Sequence, residues 1–181
     1  MIALLLRFLR NTRGVAAVEF AIILPAMLAL YVGAVEVSTL ITADRRVTTI
    51  AGTVGDLVSR RNATIPQAVL DDYFAAAAAI VAPFPTDALT QVVSCVRVAA
   101  DGTTSVMWSR GYNGGAAREV GSAYALAPDT QMSLLARSGY IIVAEVSYNY
   151  SPYIGLVLDG PFPLFQETIH LPRFAGYISL S

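Results

Sequence analysis

Glu19 has the greatest chemical consequence of any residue in this sequence. It is the one charge in residues 15–35, an otherwise apolar run (Val-Ala-Ala-Val-Glu-Phe-Ala-Ile-Ile-Leu-Pro-Ala-Met-Leu-Ala-Leu-Tyr-Val-Gly-Ala-Val) that ends before Glu36. A carboxylate at membrane depth costs several kilocalories per mole unless a partner neutralises it, so it marks a functional position. Arg7, Arg10 and Arg13 precede Gly14, and no acid lies before Glu19. As a helix, residues 15–35 would span about 32 Å, matching the hydrocarbon core of a bilayer. The arginines on its N-terminal side place that end in the cytoplasm by the positive-inside rule.

The other residues capable of chemistry form no catalytic constellation. His170 is the one histidine of the chain, and a catalytic zinc site needs three protein ligands; a surface or hydrogen-bonded structural role is expected. Asp71 and Asp72 are adjacent, so on a helix they diverge by about 100° and form no carboxylate pair. They suit a solvated position near a helix start. Gly111-Tyr112-Asn113-Gly114-Gly115 lacks the lysine and hydroxyl residue of a phosphate-binding loop, and no βαβ unit surrounds it. No Gly-x-Ser-x-Gly wording is present. Cys95, the lone cysteine, lies in an apolar strand and is expected in the core, with intermolecular pairing as the alternative. Tyr148, Tyr150 and Tyr153 cluster near the tail, where core packing accounts for most of them and an exposed aromatic strip would mark a contact surface. No catalytic residue, metal or cofactor is expected.

The elements that position these residues follow from periodicity. The helical pattern continues past the apolar run through Tyr31, Val35, Ser38, Thr42 and Arg45 to about Val58, which makes one helix on the order of 65 Å long. Pro25 within it removes a backbone hydrogen bond and crowds the preceding turn, so a kink or local unwinding is expected. Arg60 to Pro66 breaks the pattern. Pro66 then suits the first position of a second helix, with Thr64 as its cap, running through Gln67–Phe74 and the alanines to Pro83. Leu89–Ala99 and Thr103–Arg110 read as strands joined at Asp101-Gly102. Residues from Gly111 to about Arg137 read as a long loop with one helical turn. Gly139–Tyr150 is the clearest strand, and its continuous apolar start suggests a central place. Prolines punctuate the tail, with Gln166–Leu171 as a last strand. The fold class is α+β: a long N-terminal transmembrane helix continuing into an outward domain with a second helix and a small antiparallel sheet.

Composition narrows the class further. The chain has 181 residues, 55% hydrophobic and 14% charged, with mean hydropathy +0.58. It is too apolar for an ordinary cytosolic or disordered protein. All 12 basic residues are arginine, and without the three before Gly14 the chain, with its 13 acids, carries a net −4. Nucleic acid is thus an unsuitable partner.

The wording Arg13-Gly14-Val15-Ala16-Ala17-Val18-Glu19-Phe20-Ala21-Ile22-Ile23-Leu24-Pro25 resembles the start of TadE-like minor pilins (pseudopilins) of bacterial tight-adherence systems. The resemblance covers residues 13–45 best and implies a pilin-like plan. It divides the chain into a cytoplasmic leader over 1–14, a transmembrane and assembly helix over 15–58, and an extracytoplasmic α+β domain over 59–181. Gly14 and Val15 would then flank the processing site, and Glu19, Phe20 and Pro25 would serve assembly. The implied partners are a prepilin peptidase, other minor pilins and the major pilin, the assembly platform and ATPase, and the inner membrane. The implied location is a single pass through the bacterial inner membrane with the C-terminal domain in the periplasm, and incorporation into a surface pilus used in attachment and biofilm formation.

Three accounts of the N-terminus compete. A secretory signal cut near Val32-Gly33-Ala34 is disfavoured by Glu19 and by the length of the run. An uncut bitopic anchor carrying a binding module explains the span but leaves Glu19 unpaired. Cleavage after Gly14 exposes an α-amine at Val15, charged near neutral pH, which could meet Glu19 of a neighbouring copy; the alternative role of Glu19 is recognition by the assembly machinery during membrane extraction. Desolvation offsets much of that attraction, so such a pair would set register more than it adds stability.

Overall fold

The computed structural model describes residues 14–126, 136–174 and 176–181. The leader and its three arginines, apart from Gly14, lie outside the described residues. The described residues form two compact units: one within 14–40 and 152–160, the other within 41–151 and 161–181.

Helix α1, Val15–Ser59, is continuous and passes through Pro25 with its helical assignment unbroken. The local unwinding expected there is not seen, and Pro25 and its neighbours are solvent-exposed. In the first unit, every residue from Gly14 to Tyr31 is exposed. The segment 152–160, which joins the last two long strands, completes that unit.

The second unit is a layered α+β body. Its helical stretch buries Ala43, Val47, Ile50, Ala51, Val54 and Val58, a stripe at three- and four-residue spacing. Tyr31, Val35, Ser38, Thr42 and Arg45, which carry the pattern in sequence, fall on the exposed side. After a two-residue strand β1 (Thr64–Ile65), helix α2 spans Gln67–Ala78 and tightens into a 3₁₀ turn at Ala79–Val81. Pro66 is the residue before this helix and no side chain caps it. Thr64 does not act as the cap: its hydroxyl meets that of Ser179 at 3.0 Å instead.

The main sheet has the order β3-β2-β4-β5, with every pair antiparallel. Its strands are β2 (Leu89–Val98), β3 (Thr104–Tyr112), β4 (Gly139–Tyr150) and β5 (Phe162–His170). β4 is central, as its apolar run predicts. The β2–β3 turn holds Gly102 at φ +90°, a conformation that suits glycine, while Asp101 Oδ1 accepts from the N–H of Thr103 at 2.9 Å and its hydroxyl at 2.7 Å. β5 begins earlier than the sequence suggests and includes Pro163, which is tolerable because β5 is an edge strand.

Pairing in register puts alternate residues on opposite faces. One face carries Leu89, Gln91, Val93 and Cys95 with Ile142, Ala144, Val146, Tyr148 and Tyr150. The helices cover it: Phe74 stacks on Tyr112 at 5.4 Å, the Gln91 amide donates to the Phe74 carbonyl at 3.0 Å, and Phe84 packs edge-on to Tyr150. Arg46 of α1 donates to the Ile80 carbonyl at 2.6 Å. The other face carries Val96, Val98, Ile141 and Val143, closed by Val106, Tyr124 and Ala136. The segment after β3 forms this cover; Gly111 and Tyr112 belong to β3, residues 113–126 contain no helical turn, and residues 127–135 lie outside the described residues.

The tail returns to the end of α1. Strand β6 (Ser179–Leu180) pairs in parallel with β1. The Arg173 N–H donates to the Ser59 carbonyl at 2.9 Å, satisfying one of the orphan carbonyls of a helix end. The Trp108 indole donates to the Ile178 carbonyl at 2.6 Å. This parallel pair has no counterpart in the sequence patterning, because two-residue strands carry no periodicity.

Candidate membrane and assembly site

The site begins with what helix α1 leaves uncovered. Ile22, Ile23, Leu24, Met27, Leu28, Leu30 and Tyr31 are exposed, Leu30 to 76%. Exposed apolar surface is unfavourable in water by roughly 25 cal/mol per Å², so this stretch requires lipid or other protein around it. It is long and apolar enough to cross a membrane, with a mean hydropathy of 2.2 in an 18-residue window of which none is buried.

All the residues expected to serve processing and assembly lie in this bare stretch. Gly14 precedes the helix, and a Cβ added there would meet nothing within 4 Å. The fold therefore imposes no steric need for glycine at this position. Val15 opens the helix, and Glu19 lies one turn further on the same face. Among the described residues no hydrogen bond or ion pair engages the Glu19 carboxylate. Phe20 and Pro25 are likewise exposed. The structure brings these residues onto one uncovered helix segment, and among the described residues no hydrogen bond or ion pair engages their side chains.

Glu36, which sequence patterning marks only as the end of the apolar run, has the opposite environment. It is 2% exposed. Its Oε1 accepts from the Leu156 N–H at 2.8 Å, and its Oε2 accepts from Val157 at 3.0 Å and Leu158 at 2.8 Å. These amides, Leu158 and Leu156 foremost, hold its carboxyl below the usual carboxylate range; burial pushes the other way and is outweighed. One turn back, Gly33 lies against Val157, whose Cγ2 would sit 3.4 Å from an added Cβ. No local signal joins residue 36 to residues 156–158, so sequence reasoning had nothing with which to find this contact.

In the second unit several titratable groups pair with one another. Arg118 forms a two-pronged ion pair with Glu145, and its guanidinium stacks 4.6 Å from the centre of the Tyr124 ring. The Tyr124 hydroxyl donates to Glu167 at 2.7 Å, and burial pushes its ionisation upward. Asp71 takes a forked contact from Arg110, at 3.2 and 2.8 Å, while Asp72 is exposed. Asp71 is thus paired and not simply solvated. Asp56 is held below its ordinary range by hydrogen bonds from Arg60 first and Arg173 second.

Cys95 is fully buried, and desolvation pushes its thiol up to about 12. A protonated, inaccessible sulfur is a core residue and cannot pair with another chain. His170 is half-buried against Gly55; its Nε2 is buried without a hydrogen-bond partner among the described residues. The hydrogen bond expected of a structural histidine is not made at that nitrogen among the described residues. The glycine-rich stretch 111–115 is a strand end and turn in which the Asn113 amide donates to the carbonyls of Thr86, Asp87 and Leu89. Tyr148 and Tyr150 are buried, whereas Tyr153 is exposed in the 152–160 segment.

A long uncovered apolar helix leading into an α+β body fits a single-pass membrane protein. Residues 14–54 match the family model described as TadE-like protein, so this part of the chain is similar to that family. That family implies a protein associated with the Tad pilus. No match was found among curated proteins or solved structures.

Proposed function

We propose that this protein is a minor pilin or pseudopilin that is cut after Gly14 and then primes, caps or joins a tight-adherence pilus. The observation that carries the reading is the uncovered helix bearing an unpartnered Glu19 one turn beyond Val15. In an assembly, the α-amine of Val15 on one copy neutralises Glu19 of a neighbour and sets axial register. Leaving that carboxylate unpaired among apolar helices would cost roughly 3–5 kcal/mol. The role is structural and not catalytic. A prepilin peptidase, other minor pilins, the major pilin, the platform and the assembly ATPase are its partners. The body faces the periplasm, and the assembled pilus supports attachment and biofilm formation. A folded domain of this size is difficult to tile at close helical spacing, which favours a tip or initiation role over repetition along a shaft.

Intact mass and N-terminal sequencing of the protein from native membranes test the reading. A chain starting at Val15 is expected, and Gly14→Val should leave the full-length precursor while sparing the fold. A native protein that retains its leader, with no trimmed species, would instead make it an uncleaved membrane tether.

A further inference from the structure

We infer that the segment 152–158 lies in the outer interface of the bilayer that α1 crosses, as a second, non-helical membrane contact held in place by Glu36. The inference rests on the membrane-spanning reading of α1.

Pro152-Tyr153-Ile154-Gly155-Leu156-Val157-Leu158 carries no charge, and Asp159 follows directly. Tyr153, Ile154, Leu156 and Val157 are all more than half exposed, Tyr153 to 68%. Four large exposed apolar side chains within five residues of an irregular segment resemble neither a core nor a solvated loop. Two contacts set their depth. Gly33 lies against Val157 and Glu36 takes the amides of Leu156, Val157 and Leu158. Counting from Val15, Gly33 stands about 27 Å and Glu36 about 32 Å along the helix. A hydrocarbon core of about 30 Å ends between them. The segment therefore meets the helix where lipid gives way to headgroups. An aromatic residue such as Tyr153 suits that depth.

The chemistry of the pin fits the same solvent boundary. Irregular backbone at membrane depth must have its N–H groups satisfied from within the protein. One carboxylate at the helix's first outward charge satisfies three consecutive amides. In water those amides would need no such partner. Lipid is favoured over a second copy because the patch is continuous with the uncovered span.

The test uses the full chain in vesicles containing brominated phospholipids, one protein per vesicle, with an environment-sensitive fluorophore on a single introduced cysteine. Cys95 is buried and does not label. Leu156→Cys reports on the segment, with Ile154→Cys as a second reporter; Leu28→Cys reports on the span and Val120→Cys on an exposed site of the other unit. Blue-shifted emission and quenching by brominated lipid are expected at positions 28, 154 and 156, with quenching by aqueous iodide at 120. Adding Glu36→Gln should transfer positions 154 and 156 to the iodide-quenched class and leave 28 unchanged. Iodide quenching at 154 and 156 with lipid quenching at 28 would overturn the inference and leave the span intact. Protection from both quenchers at 154 and 156 would mean a protein occupant, and would overturn it too. No lipid quenching at 28 would remove the span and this inference together. Unchanged depth in Glu36→Gln would refute the pin.

Discussion

Helix α1 contains two stretches with similar residues and opposite fates. Over Val15–Tyr31, alanines, valines, isoleucines and leucines are all exposed; over Ala43–Val58, the same residue types form a stripe buried against the sheet unit. The difference lies in what surrounds the stripe on the helix. Around Ala43–Val58 stand Asp44, Arg45, Arg46, Thr48, Thr49 and Asp56, so only one face is apolar and one face is covered. Around Val15–Tyr31 the residues other than Glu19 are apolar on every side, which suits a helix surrounded by lipid or by other apolar helices. The two acids of the apolar region repeat the contrast. Glu19 is uncovered and has no partner among the described residues, whereas Glu36 is covered and satisfied by three amides of the same chain. A carboxylate whose needs are met internally organises its own subunit; one whose needs are unmet is available to another.

The comparison can be broken most decisively by truncating one side chain in each stretch. Ile50→Ala should cost about 2–5 kcal/mol of unfolding free energy, since it opens a cavity under a fully covered residue. Leu28→Ala should leave urea denaturation of the detergent-solubilised chain unchanged. Its sharper form is Leu28→Asp, which should impair membrane insertion by about 3–4 kcal/mol while the sheet unit stays folded by circular dichroism.

The acids provide the next test. Glu36→Ala should make the 152–160 segment markedly more sensitive to limited proteolysis. Glu19→Ala should leave the digest pattern and the processed N-terminus alone while lowering pilus number and surface attachment. Equal proteolysis of both variants would erase the distinction between the two carboxylates.

Gly55 sharpens the picture of the covered half. A Cβ there would fall 2.7 Å from His170 Nε2 and 3.4 Å from the Ala144 Cβ. Gly55→Ala gains about 1 kcal/mol of helix propensity and loses about 1–3 kcal/mol by overpacking. A net loss of about 1 kcal/mol in thermal or urea unfolding is expected. Gly14→Ala, with open space around it, should show none.

The smallest effect is a pH dependence at His170. Desolvation lowers its pKa, the Asp56 charge opposes that and Arg173 adds to it. The unfolded chain therefore takes up the proton more readily than the folded one. Stability should be highest above the ordinary histidine range and decline as pH falls through it toward the lowered folded value. His170→Gln should flatten the slope of unfolding free energy between about pH 7 and 5.

The span, Glu19, the second helix, the hairpin at Asp101-Gly102 and the central strand at Gly139–Tyr150 were legible because each depends on local chemistry. Apolar length, a lone charge, turn residues and periodicity act over a few neighbouring positions. The same local rules located the start of β5 late, because Pro163 reads as a breaker until the strand is known to be an edge. They also gave Thr64 a capping role that pairing with the chain's end overrides.

By itself, the sequence determined that this chain has a membrane-length helix, an acid placed shortly after a glycine, and an α+β body, since those follow from composition and spacing. Only the tertiary structure decided which helix face is buried, that Cys95 is inert, that the tail pairs with β1, and that Glu36 holds a segment about 120 residues away. Those contacts depend on chain closure over long separations, and side-chain types alone do not encode which distant amide a carboxylate will find.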